Sequence, residues 1–142
     1  MGSRKWHLAR AEHHLKTADH LAQTPQFMDW AFVALFYAAH QQVHSVLSGE
    51  PSLVKDERHP RKHNSPYKAS EGGRGTNDLV GAFMRSIQRD YMSLFEAGRR
   101  TRYETPLLGD DAYRKFRDQH DRIAKFCELT NRTREDISTQ SS

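Results

Sequence analysis

Cysteine is almost missing from this chain: Cys127 stands alone among 142 residues, so no intrachain disulfide can staple the fold. Proline and glycine are sparse too, and three of the five prolines and four of the eight glycines crowd into residues 49–76. The rest of the chain is therefore largely free of helix breakers. Period-two alternation is lacking, and the β-branched residues are scattered through helix-like stretches, which excludes a sheet-based domain. The most apolar stretch, residues 28–47, carries Asp29, His40, His44 and the pair Gln41-Gln42, so it is not expected to cross a membrane. Arg4-Lys5 leads into Trp-His-Leu-Ala-Arg-Ala-Glu, which has no leader-like apolar core. With the lone cysteine, that points to a reducing, cytoplasmic setting.

What is present fits one helical domain. The chain is 36% hydrophobic and 28% charged, enough to bury a core without staples. Its formal net charge of +4 and nine histidines, which add charge below neutrality, suit an anionic partner.

A first helix is expected over about residues 3–23, with Leu8, Ala11, Leu15, Ala18 and Ala22 as its buried stripe. His7, His13 and His14 read as its charged outer surface. Thr24-Pro25 marks a stop and restart, with Thr24 as N-cap and Pro25 at the first helical position. The second helix runs to about Leu47 and is apolar on nearly every side, as a central bundle helix must be. Ala31, Ala34, Ala38 and Ala39 allow close neighbours, and Gly49 and Pro51 end it. Residues 49–76 form a long basic loop with six Lys or Arg and two histidines. A third helix is expected from Asn77, as cap, to Gly98, burying Leu79, Phe83, Ile87, Tyr91 and Leu94. The fourth opens at Asp110-Asp111 and buries Tyr113, Phe116, His120, Ile123 and Cys127. The tail from about residue 130 is polar and expected to fray. The expectation is all-α: four antiparallel helices in an up-down bundle, residues 1–130 as one domain, and 131–142 as a disordered tail.

The run Phe36-Tyr37-Ala38-Ala39-His40 in the second helix, and the pair Arg102-Tyr103 after the third, resemble the HEPN superfamily (higher eukaryotes and prokaryotes nucleotide-binding). The layout of two helices, a basic loop and two more helices is similar over about residues 5–130. The resemblance implies an RNA-binding protein, in many members a metal-independent endoribonuclease of toxin–antitoxin or phage-defence modules. It also implies a homodimer, no cofactor, and an antitoxin as partner. The alternative it leaves open is a non-catalytic module that binds a nucleotide or a partner protein such as a nucleotidyltransferase.

The superfamily's signature is an Arg followed, after four to six residues, by a His. Arg58 and His63 fit it, with the polar His59 directly after the Arg; Arg114 and His120 fit it less well. On a regular helix the second pair would lie roughly 120° apart and fail to converge within one protomer. Arg58 and His63 are therefore the candidate catalytic pair. Metal-free cleavage needs an acid/base of near-neutral pKa, which His63 supplies, and a cation for the developing phosphorane charge, which Arg58 supplies. Tyr37, His40, His44, Arg61, Arg99, Arg102 and Tyr103 are the candidate RNA- or nucleotide-binding residues, the last three as a basic and aromatic cluster able to grip phosphate and stack a base. His40 and His44, one turn apart, also have a metal-ligating spacing, with His59 or His63 as a third donor, but a satisfied helix end explains them more simply. Gly72-Gly73-Arg74-Gly75 follows no strand and lacks a Gly-Lys-Ser/Thr ending, so it reads as flexible linker rather than phosphate loop.

Overall fold

The computed structural model describes residues 3–58, 62–66, 72–103 and 110–140, the side chains of residues 102, 103, 139 and 140 excepted. All regular structure among them is helical. Ser3 caps the first helix, α1 (Arg4–Leu21), its hydroxyl accepting from Trp6 N at 3.1 Å. Ala11 and Ala18 are buried as the stripe requires, and so is His7. Thr24 is extended, and Pro25 opens a single 3-10 turn, Pro25–Phe27, so that α2 (Met28–Leu47) starts three residues later than expected.

The third expected helix is two. α3 (Thr76–Phe83) stops at Met84, whose backbone (φ −138°, ψ 50°) leaves the helical region. A 3-10 turn, Arg85–Ile87, then leads into α4 (Gln88–Tyr103). Leu79, Met84, Ile87, Tyr91 and Leu94 stay buried on both sides of the break, which is why the pattern reads as one helix. Phe83 is the exception: it turns to the surface, 37% exposed, with the Arg74 guanidinium 5.6 Å above its ring. Gly98 does not end α4 but lies within it, where a Cβ would stand 3.3 Å from Phe36 Cβ. Its bare backbone lets α4 come close to α2.

α5 (Asp110–Gln140) runs ten residues past the expected end near residue 130. Polar pins, which an apolar pattern does not record, tie the extension down. Asn131 Nδ2 donates to Ser45 Oγ at 3.0 Å, Arg134 reaches the Val46 carbonyl at 2.6 Å and Glu50 Oε2 at 3.0 Å, and Glu135 pairs with Arg4.

α2 packs against α1, α4 and α5 and is the axis of the molecule. Phe32, Leu35, Ala38, Ala39, Val43 and Leu47 are at most 1% exposed. Each large apolar side chain so buried contributes about 1.5–3 kcal/mol relative to exposure. No helix among the described residues is long and apolar enough to cross a membrane.

Candidate functional site

Phe36, His40 and His44 follow one another at four-residue steps, so α2 lines them up on one face. The ring centroids are 5.7 Å apart for Phe36 and His40 and 4.7 Å apart for His40 and His44. α1 adds His7, 5.8 Å from His44, and the basic loop adds His63, 4.9 Å from His40. The result is a row of four imidazoles, His7–His44–His40–His63, drawn from three parts of the chain. The first three are at most 1% exposed, and His63 is only partly buried.

Each inner ring is hydrogen-bonded, as burial demands. His7 Nδ1 lies 2.7 Å from Gln41 Oε1, His40 Nδ1 lies 3.0 Å from the Tyr91 hydroxyl, and His44 Nε2 lies 2.8 Å from Thr76 Oγ1. The Thr76 hydroxyl donates to the Lys62 carbonyl at 3.3 Å. Having one proton to give, it must accept from His44, which makes His44 the Nε2–H tautomer.

The loop is built rather than slack where it meets this row. Lys62 and His63 turn their carbonyls to the start of α3, accepting from Thr76 N at 3.1 Å and Asn77 N at 2.9 Å. These are two of the amides that a helix leaves orphaned, so main chain does the capping expected of the Asn77 side chain, which pairs with Asn64 instead at 3.2 Å. Ser65 Oγ accepts from Gly75 N at 3.0 Å, and a Cβ on Gly75 would land on the backbone of Asn64. The Gly72–Gly75 stretch is thus a fitted turn, not a flexible linker. Arg74 closes it from below by donating to buried Glu57, Nε to Oε2 at 2.7 Å, while Asp56 holds Lys62 Nζ at 2.7 Å and Gly73 N at 2.9 Å.

Burial pushes the His44 pKa well below its usual 6.5, and His40 and His7 push it further. The Arg58 backbone and, more weakly, His63 also act on it, in opposite senses. His14 is lowered as well, by burial first, then by Arg10 and His13. Tyr91, wholly enclosed, is raised well above 10 by burial and remains a neutral phenol. Glu57 is held at about 2, chiefly by the Arg74 guanidinium.

Of the candidate residues, Tyr37, His40, His44 and His63 come together. Tyr37 is half-buried at the edge, 6.2 Å from His63 and 6.1 Å from His14. Arg58 does not point at His63: its Nη2 donates to the Glu50 carbonyl at 3.1 Å and to the Pro51 carbonyl at 3.4 Å, so the guanidinium ties down the chain just after α2. Arg99 is 55% exposed, pairs with Glu96, and follows Phe95 by one turn of α4. Arg102 and Tyr103 lie in the last turn of α4, and their side chains fall outside the described residues, as does all of Arg61. Arg114 is exposed while His120 is buried beside Asp121 at 3.0 Å, so the two do not converge within the chain. Among the described residues no three His, Cys, Asp or Glu side chains are arranged to hold a metal ion.

Three participants escape the sequence reading. His7 sits on the Ala11 and Ala18 stripe, a placement its four-residue step to Ala11 could have revealed. His14 is half-buried against Tyr37 rather than a surface residue. Phe95, buried next to Leu94, stands 5.6 Å from His63 and 5.6 Å from Phe36. The accessible edge of the site is therefore His14, Tyr37 and His63, backed by buried Phe95, with Arg10 acting on His14 and Arg99 one turn past Phe95. Comparison with known proteins finds no matching family model, curated protein or solved structure.

Proposed function

We propose that this chain is a HEPN-like RNA-binding protein that engages single-stranded RNA along the edge formed by His14, Tyr37 and His63, with buried Phe95 behind it. The supporting observation is the setting of His63. It is a partly exposed imidazole within 6.2 Å of three other aromatic rings, Phe36, Phe95 and Tyr37, on a loop fixed by the start of α3. Aromatic platforms flanked by cations bind single strands without reading sequence: each stacked base contributes about 1–3 kcal/mol, and phosphates add a salt-dependent term. Arg10, close enough to lower the His14 pKa, and Arg99, one turn past Phe95 on α4, are the cations this reading uses.

On this reading His63 is also the residue to take or give a proton in metal-free cleavage at the ribose 2′-hydroxyl. The second reading, a non-catalytic module for a nucleotide or a partner protein, has one specific observation in its favour. The guanidinium of Arg58, the cation that cleavage would call upon, is spent on the Glu50 and Pro51 carbonyls. A homodimer, as HEPN-like proteins form, belongs to this reading.

Fluorescence anisotropy with a labelled single-stranded RNA, run beside a denaturing gel, tests this. Wild-type protein is expected to bind, and Tyr37→Ala and Arg99→Ala to weaken binding by about tenfold or less each. Cleavage products that vanish in His63→Ala support the enzyme, whereas binding with intact RNA supports the module. An RNA that neither binds nor breaks removes the RNA-binding reading and leaves only a module for a nucleotide or a partner protein.

A further inference from the structure

α1 and α5 both pack on α2, and they meet each other through polar side chains at the two ends of α1. At one end Asp19 accepts from the Tyr113 hydroxyl at 2.7 Å and from Arg117 Nε at 3.0 Å. At the other, Arg4 pairs with Glu135. Near the Arg4 end the two helices leave a half-open cavity of about 400 Å³. Pockets that take small molecules run from about 300 to about 1,000 Å³, so this one has the room for a ligand.

Its lining is apolar on the flanking helices and amide-bearing on the central one. Leu8 comes from α1 and Ala124 from α5, while Gln42 comes from α2 between them. The neighbouring Gln41 has its carboxamide oxygen 2.7 Å from His7 Nδ1, but the half-buried Gln42 carboxamide has no hydrogen-bond partner among the described residues. Asn131 gives its Nδ2 to Ser45, which leaves Oδ1 to accept from elsewhere. The charges around the cavity are already matched, Arg4 with Glu135 and Arg132 with Glu128 at 2.7 Å. An anionic ligand would meet the two carboxylates, and a cationic one the two guanidiniums. The groups still open to a ligand are therefore amides, and a half-buried amide gains from a partner that completes its hydrogen bonds.

We propose that this cavity binds a small uncharged ligand with an amide edge, a flat group that carries a hydrogen-bond donor beside an acceptor. The Gln42 carboxamide pairs with such an edge in both senses, Oε1 accepting and Nε2 donating, as carboxamides do with nucleobases. Asn131 Oδ1 takes one further donor, and Leu8 and Ala124 supply apolar cover for the body of the ligand. The site uses Arg4 and Leu8 of α1, not His14 or Tyr37. The inference thus goes beyond RNA binding and holds whether or not RNA is a ligand.

NMR titration of the isotope-labelled chain tests this with two neutral probes, nicotinamide and uridine, and their charged counterparts, nicotinate and uridine monophosphate. Saturable shifts of the Gln42 and Asn131 side-chain amides are expected with at least one neutral probe at concentrations up to about 10 mM. Its charged counterpart is expected to bind about tenfold or more weakly. Gln42→Leu, which keeps the bulk and suits a helix, is expected to weaken the neutral probe by about tenfold or more. Should Gln42→Leu not fold, Ala124→Leu, which fills the cavity from α5, is expected to do the same. No saturable shift at these amides with either neutral probe overturns the proposal. So does equal affinity for the charged counterpart, or an affinity unchanged in Gln42→Leu or Ala124→Leu.

Discussion

The Tyr91 hydroxyl lies 3.0 Å from His40 Nδ1, joining α4 to α2 inside the core where Tyr91 is wholly buried. Phenylalanine at position 91 keeps the ring and removes only this bond. Tyr91→Phe is therefore expected to lose about 1–2 kcal/mol, the cost of leaving a buried polar atom one partner short. Urea denaturation at neutral pH measures it. An unchanged midpoint would mean the bond contributes nothing to stability.

Glu57 and Arg74 give a second expectation, this one with a pH sign. The folded carboxyl titrates at about 2 against an ordinary 4.5, so the unfolded chain takes up the proton first. The stabilisation is complete above about 4.5 and is lost as pH falls toward 2. Glu57→Gln is expected to cost about 1–3 kcal/mol at neutral pH and to shrink toward no effect in acid. Denaturation curves for both proteins across that window provide the check.

His44 gives a third. Its pKa is lowered by burial and by the neighbouring imidazoles, so below about 6.5 the unfolded chain binds a proton that the folded chain refuses. Stability is then full above that value and declines as pH drops beneath it. His44→Gln, which preserves a hydrogen-bonding side chain toward Thr76, is expected to flatten the decline between about pH 7 and pH 5. A slope identical to wild type would place the acid sensitivity elsewhere.

A fourth concerns the turn after the basic loop. Gly75 has no room for a side chain beside the Asn64 backbone. Gly75→Ala is expected to displace residues 63–64, expose the Thr76 and Asn77 amides and cost about 1–3 kcal/mol. Faster exchange confined to the start of α3 is the expected signature.

These relationships show which parts of the architecture could be read from residues alone. α1, α2 and α5 follow from three- and four-residue apolar steps, because burial of one face imposes that period. The break at Met84 escaped, since Leu79, Ile87 and Tyr91 keep a helical rhythm across it. The length of α5 escaped because Asn131 and Arg134 hold it by polar contacts to α2, which carry no periodic signal. For the site, the closeness of His40 and His44 was legible from their spacing, while the arrival of His63 depends on a loop path that spacing does not encode. The pairing of Arg58 with His63 looked plausible from interval alone, yet Arg58 is drawn to the carbonyls just past the end of α2.

Photo-crosslinking of a single-stranded RNA containing 4-thiouridine, followed by peptide mapping, tests most directly where RNA sits. Crosslinks are expected in peptides carrying Tyr37 and His63. Crosslinks confined to the outer face of α5, around Leu129 and Ile137, would contradict the proposed RNA edge.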